Sequence, residues 1–345
     1  MPNASSVLAR PAVRRAVIAA VAVALLAYPW LAPNSYLKYA GALAIMYAAL
    51  ATSWNLVGGF IGYVSLGHAA FFGLGAYGTA IIVRDVGAPH LVALPLSVVG
   101  TMVFAAIVGV AAVQVRGASF VIVSIALVTM MSLLAQSWRN LTGGSAGLRV
   151  SPLSEELDRT GNHILFFNLF FVVLVLALFC WWFIDRSRFG AGLKAIREDE
   201  DKAESLGVPT TAYKVVILVL SAGFTAAAGG LYGIWFGNLD PIFIFSIILG
   251  ANMVLMALFG GIHHLFGPVL GALIIAPASE YFLTNYGETQ IHIVMSGVLL
   301  AVVVLFMPEG VIPAIRNVLR RFQPEAASIR EMTEEEMQSQ RSVAP

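Results

Sequence analysis

Charge is missing from most of this chain, and where it is missing decides what the chain can become. Residues 39–83, 86–115, 117–138, 160–184, 215–239, 241–279 and 289–308 contain no Asp, Glu, Lys or Arg. A helix needs about 20 apolar residues to cross the ~30 Å hydrocarbon core of a bilayer. Each window can hold one span, and the first and sixth are long enough for two. A charge at a helix centre costs about 2.5–3.5 kcal/mol on insertion, so clean windows are what lipid demands. Of 345 residues only 11% are charged, against about 25% in soluble domains. The predicted fold class is therefore all-α, a polytopic membrane protein.

Hydropathy predicts about ten spans (8–10): 14–32, 37–57, 68–84, 90–115, 117–137, 163–184, 213–236, 244–262, 265–283 and 290–308. The transmembrane domain then covers 14–308, with a cytoplasmic segment at 1–13 and a polar cytoplasmic tail at 309–345. Arg10, Arg14 and Arg15 precede the first apolar stretch, which reads as an uncleaved span, because no small-x-small cleavage site follows it. Lys and Arg concentrate in cytoplasmic loops. With both termini inside, Arg116, Arg186, Arg188, Lys194, Arg197, Lys202 and Lys214 fall on the cytoplasmic side. Lys38, Arg84, Arg139, Arg149 and Arg159 fall outside. The loop 138–162 is then external and the loop 185–214 cytoplasmic. The tight junction at Arg116-Gly117 is the weakest point of the span count.

Glycine at small-xxx-small spacing (Gly58/Gly62, Gly229/Gly233/Gly237, Gly267/Gly271) suits close helix packing in lipid. The run Gly58-Gly59-Phe-Ile-Gly62-Tyr-Val-Ser65-Leu-Gly67-His68 is different. Four glycines in eleven residues make poor continuous helix, so an interrupted or re-entrant segment is expected there. Irregular backbone at that depth survives only where protein or a watery path satisfies it. Phe72-Gly-Leu-Gly-Ala76 faintly echoes Phe266-Gly-Pro-Val-Leu-Gly-Ala272, as an inverted repeat would.

Several chemistries are disfavoured. Net charge is +1, so no basic field points to nucleic acid. The single Cys180 excludes an internal disulfide framework. Gly73-Leu-Gly75-Ala-Tyr-Gly78 matches a dinucleotide fingerprint but lies inside a charge-free window, without the strand or acidic residue that motif needs. No P-loop occurs, so no cofactor is expected on this chain and any ATP and magnesium belong to another polypeptide. His263-His264 lacks further ligands and reads as a turn pair rather than a metal site. Ser65 and His68 lack a carboxylate that would make them a hydrolase.

The loop 185–214 carries six basic and six acidic side chains. Phe189, Leu193, Ile196, Ala203 and Leu206 recur at helical spacing, and Lys194/Glu198, Arg197/Asp201 and Glu198/Lys202 stand at i,i+4. Gly207 and Pro209 give the stop. The expectation is one short amphipathic helix, its apolar stripe offered to a partner's groove; a helix lying on the membrane surface is the alternative.

Four ordered blocks resemble one family. They are Trp54-Asn-Leu-Val-Gly-Gly59 with Gly62–Tyr77; Leu141-Thr-Gly-Gly144 with Gly147-Leu148; Arg188-Phe-Gly190 with Ala195–Glu200 and Leu206-Gly-Val208; and Gly260-Gly261 with Phe266–Ala272. From about residue 40 to 310 the chain resembles the transmembrane permeases of branched-chain amino acid ABC importers, the LivM type. The resemblance implies two permease subunits forming the path, two ATPases on the cytoplasmic loops and an external solute-binding protein in the bacterial inner membrane. It implies an ATPase-coupling element carrying Arg188, Gly190, Lys194, Ala195, Ile196, Arg197, Glu198, Leu206 and Gly207.

Two departures leave the solute open. Gly250-Ala251-Asn252 stands where such permeases often have Ser-Ile-Glu, and His263-His264 where Gly and Ser or Thr are usual. A urea, amide or aromatic-acid solute is the alternative within the class, and an ion-coupled carrier is the alternative outside it. Carriers place carboxylates in the membrane for coupling, whereas here only Glu280 and Glu288 approach span ends. Candidate path residues are Asn55, Ser65, Gly67, His68, Asn238 and Asn252, all uncharged.

Overall fold

The computed structural model of the chain describes residues 25–153, 158–286 and 298. Among them eight helical segments are long and apolar enough to cross a membrane. They match the second to ninth expected spans one for one. Of the first, 14–32, only residues 25–32 are described, and of the tenth, 290–308, only residue 298; the segments 1–13 and 309–345 lie outside the described residues.

In chain order α1 is Ser35–Ile61 and α2 is His68–Ile81, extended by a π-helical turn at Ile82–Val86. Then come α3 (His90–Ala112), α4 (Ala118–Ser137) and α5 (Arg159–Asp185). Two short helices follow, α6 (Arg188–Glu198) and α7 (Glu200–Ser205). The bundle closes with α8 (Thr210–Phe236), α9 (Ile247–Gly260) and α10 (Gly267–Tyr286). At the Arg116-Gly117 junction Gly117 sits at φ +58, which reverses the chain and keeps α3 and α4 separate.

Helix α1 is the hub: 89% of its best apolar window is buried, against 22% for α3. It packs on α5, α10, α8 and α9, while α8 packs on α2 and α3. Lipid offers no hydrophobic drive for such contacts, so backbone proximity has to supply them. A methyl group on Gly75 would fall on the Ala226 carbonyl, and one on Gly229 on the Phe72 carbonyl. The α9–α10 contact repeats the device, with Gly271 against the Met256 carbonyl. The expected pairs Gly229/Gly233 and Gly267/Gly271 therefore do pack helices. Gly237 and Gly58/Gly62 do not. Gly237 ends α8 and Gly62 ends α1, both left-handed, with the Gly62 N–H on the Gly58 carbonyl. Spacing alone cannot tell a packing face from a helix stop.

At one end of the bundle two short strands pair antiparallel, β1 (Leu148–Arg149) with β2 (Asn238–Leu239). They stitch the loop after α4 to the end of α8, and the Tyr77 hydroxyl donates to the Leu239 carbonyl at 3.1 Å. The opposite end carries α6, α7 and most of the charge.

Candidate functional site

The interrupted segment expected near Gly62–His68 is present. After Ile61 the chain runs non-helically through residues 62–67 and folds back along α1. The Trp54 indole N–H donates to the Ser65 carbonyl at 2.7 Å. The Leu66 N–H donates to Ser124 Oγ of α4 at 3.1 Å. The N-terminus of α2 is thereby held beside Ser53, eight residues back from the end of α1. At 1.5 Å per residue that is about 12 Å into the bundle. Irregular backbone at that depth is tolerated because protein groups satisfy it.

His68, fully buried, locks this joint. Ser221 Oγ of α8 has one proton, which it gives to the Ser53 carbonyl at 2.6 Å. It must therefore accept from His68 Nε2, also at 2.6 Å. That fixes the neutral Nε2–H tautomer and leaves Nδ1 to accept from Ser65 Oγ at 3.1 Å. Each ring nitrogen has a partner. One imidazole thus ties α1, α2, α8 and the broken segment together, and Gly67 sits just before it, buried.

The other candidate path residues are dispersed. Asn55 is buried one turn from the joint, and among the described residues neither its amide oxygen nor its nitrogen has a partner, nor does the Thr52 hydroxyl. Asn252 lies half-buried on α9. Asn238 is exposed in β2 opposite Arg149, at the bundle end, so it is not gathered with His68. Glu280, the carboxylate that approaches a span end, is half-buried on α10.

The loop 185–214 departs from expectation in two ways. It is two helices rather than one, because Asp199 adopts extended geometry (φ −162, ψ 108) and caps α7 by accepting from the Lys202 N–H. The anticipated i,i+4 ion pairs do not form. Lys194 instead meets Asp185 at 2.6 Å, Arg197 meets Glu198 at 3.1 Å, and Lys202 meets Asp199 at 2.8 Å. Asp199 is held below the usual carboxylate range, chiefly by its hydrogen bond from Lys202. The apolar stripe is also not on offer to a partner. Leu193, Ile196 and Ala203 are buried against the bundle, and the Phe189 ring packs tilted against Tyr213, centroids 4.7 Å apart. Periodicity reveals that a face is buried, not what buries it. The outward face includes Arg188, Glu198, Asp201, Lys202, Glu204, Leu206 and Gly207.

Charge fastens this arm to the bundle. Glu200 takes Lys214 Nζ on Oε1 at 2.6 Å, and the Tyr63 hydroxyl (2.9 Å) and Arg116 Nε (3.2 Å) on Oε2. Lys214 is only 2% exposed and donates again to the Val113 carbonyl at 2.7 Å. Burial, then the bond to Glu200, pushes the Tyr63 phenol up. Arg197 Nη1 donates to the Gly59 carbonyl at 3.0 Å and meets His263 Nδ1 at 3.1 Å. That clamps α6 to the end of α1 and to the α9–α10 turn. His263 is held below its ordinary pKa by burial and then by Arg197, so it stays a neutral acceptor. A methyl on Gly190 would strike the Ile184 carbonyl, so that glycine is what lets α6 fold back on α5. No cluster of three or more metal-ligating side chains occurs among the described residues.

A family model described as the permease component of branched-chain amino acid transport systems matches residues 36–307. The Escherichia coli K12 high-affinity branched-chain amino acid permease protein LivM is 26% identical over 329 residues, spanning 88% of this chain and 76% of LivM. LivH of the same organism is 28% identical, over 78% of this chain and 92% of LivH. BraD of Pseudomonas aeruginosa PAO1 is 28% identical, over 77% of this chain and 91% of BraD. No solved structure matches the chain.

Proposed function

We propose, for a chain that belongs to the family of branched-chain amino acid transport permease components, that it forms part of the solute path of an ATP-driven importer. Its solutes are branched-chain amino acids. It works with a second permease of the same family, two ATPases that carry ATP and magnesium, and an external binding protein. The arm α6–α7 faces the cytoplasm and receives the ATPases.

The observation that carries this reading is how the arm is built. Its apolar face and its buried Lys214–Glu200 pair are turned inward, so the arm cannot swing independently of α1, α3 and α8. Its exposed face presents charges of both signs around Leu206. Force applied to that face passes through Arg197 and Glu200 to the ends of α1 and α8. The other ends of the same transmission are the His68 joint and the broken segment. A two-state change driven by a partner's nucleotide then has a mechanical route to the path.

Uptake of labelled leucine into vesicles holding the reconstituted subunits tests this. Uptake should require ATP and the ATPase subunits, and should collapse in Glu198→Lys while the purified chain stays folded. Uptake that persists without ATP or ATPase subunits defeats the assignment. Ile196, which the family resemblance places in the coupling element, is buried against the bundle and so does not meet the ATPases directly.

A further inference from the structure

Helix α5 packs one face on α1 and leaves another open. Val172, Val175, Leu176, Phe179, Trp182 and Phe183 stand at i, i+3, i+4, i+7, i+10 and i+11, and all are exposed. At 1.5 Å per residue this stripe runs about 17 Å, close to half of the ~30 Å hydrocarbon core. Its side chains are bulky. Faces that meet another span in lipid are built of small residues that let backbones approach, as Gly75, Gly229 and Gly271 do in this bundle. A stripe of valine, leucine and aromatic rings suits acyl chains instead.

The stripe ends in charge. The next position along it is Arg186, whose guanidinium lies 4.5 Å from the centroid of the Trp182 ring; Trp182 stacks in turn on Phe179 at 6.0 Å. A guanidinium lying on a ring keeps its in-plane N–H groups for a further partner. Arg188, also exposed, opens α6 at the other end of the arm's sequence from Leu206. Neither arginine has an acidic partner among the described residues. Arg116, Lys194, Arg197, Lys202 and Lys214 at the same end of the bundle each meet a carboxylate. Two unpaired cations therefore stand beside a belt of rings, the kind that sits at the edge of the hydrocarbon.

We propose that this end of α5 binds an anionic glycerophospholipid, its phosphate held by Arg186 and Arg188 and an acyl chain laid along Phe183, Phe179 and Leu176. Arginine meets phosphate oxygens with paired, charge-assisted hydrogen bonds. Trp182 is a positioning residue, which holds Arg186 at the level of the headgroup. Charge selects the lipid: a headgroup whose one charge is its phosphate answers the two cations, whereas choline or ethanolamine would set a third cation beside them. The apolar stripe selects a lipid over a soluble phosphate. The site is independent of which solute the chain transports.

The test measures equilibrium binding of fluorescent phosphatidylglycerol, and of phosphatidylcholine with the same chains, to the purified full-length chain in neutral detergent. The wild type should hold phosphatidylglycerol several-fold more tightly. Arg186→Gln should lower that preference, and Arg186→Gln/Arg188→Gln should bring the ratio to near one. Trp182→Leu, which keeps an apolar side chain but takes the ring from under Arg186, should lower it in part. Lys202→Gln removes a cation that already has Asp199 and should leave the ratio unchanged. All four positions are exposed. A wild-type ratio of one, an undiminished ratio in the double variant, or an equal fall in Lys202→Gln and Arg186→Gln overturns the site. So does displacement of the labelled lipid by millimolar inorganic phosphate, which would make the ligand a soluble anion. An unchanged ratio in Trp182→Leu overturns the part given to the ring.

Discussion

Two joints hold the moving parts of this molecule, and they are made of opposite materials. The joint around His68 is neutral: an imidazole and three serines in the bundle, each hydrogen bond made between uncharged groups. The joint around Glu200 is ionic: a buried lysine, a carboxylate 10% exposed, an arginine and a phenol. The difference follows depth. Far from water a lone charge is expensive, so the inner joint is held by hydrogen bonds of roughly 1 kcal/mol net each. At the bundle's rim a charge can be paired at tolerable cost, and once paired and buried it cannot lose its partner cheaply. The inner joint is the weaker pivot; the outer one is the stronger bracket.

Breaking the bracket should have the largest effect. Lys214→Met takes from Glu200 its buried cation and leaves only the half-exposed Arg116 and the Tyr63 hydroxyl; removing one partner of a buried pair costs up to about 3–5 kcal/mol. Thermal unfolding of the purified protein should show a large fall in Tm, and uptake should be lost with it. The double variant Lys214→Met/Glu200→Met should recover most of that stability without restoring uptake. Full recovery of uptake would show that the pair is ballast rather than bracket.

The pivot should break less severely. His68→Ala strands the Ser65 hydroxyl, at about 1–3 kcal/mol, and opens a void that adds a cavity cost. The same unfolding measurement should place it below Lys214→Met. His68→Gln, which can donate and accept in the same region, should fall between His68→Ala and the wild type. If His68→Ala destabilises more than Lys214→Met, the two joints have been ranked in the wrong order.

How legible were these joints beforehand? The spans were legible because insertion energetics acts on composition window by window, and α1 to α5 and α8 to α10 fall where the charge-free runs put them. The break at Gly62–Gly67 was legible because four glycines oppose helix locally. The ion pairs were not. Glu200 and Lys214 are 14 residues apart on different helices, and their meeting depends on Asp199 breaking the arm in two. Local spacing suggested Lys194/Glu198 instead, which would hold only for an unbroken helix. The direction of the arm's apolar face was hidden for a related reason: a helical stripe is the same whether it meets its own bundle or a partner.

Between pivot and bracket lies Asn55, whose buried amide has no partner among the described residues. A merely structural residue there would be a pure liability, so Asn55→Leu should stabilise the fold by about 1–3 kcal/mol, the cost of an unsatisfied buried group. If the amide instead meets solute or water during transport, the same change should lower uptake while Tm rises. Rising Tm with unchanged uptake would place Asn55 off the path.

Acid should loosen the bracket's outer part in two steps, with the smallest effects of all. His263 is held below its ordinary pKa of 6.5, so the unfolded chain takes a proton first. The stability lost begins as pH falls through 6.5 and is complete below the folded value. Arg197 then faces a cation where it had an acceptor. Asp199 is held below 3.8. Its stabilisation of α7 is complete above that value and disappears only as pH falls through its depressed folded pKa. The mobility of a spin label attached at position 205, in a Cys180→Ser background, should therefore rise slightly below pH 6.5 and again in strong acid. His263→Gln, which keeps an acceptor for Arg197 but cannot titrate, should abolish the first rise and leave the second. Loss of both would mean that Asp199 does not hold α7 independently of the Arg197 clamp.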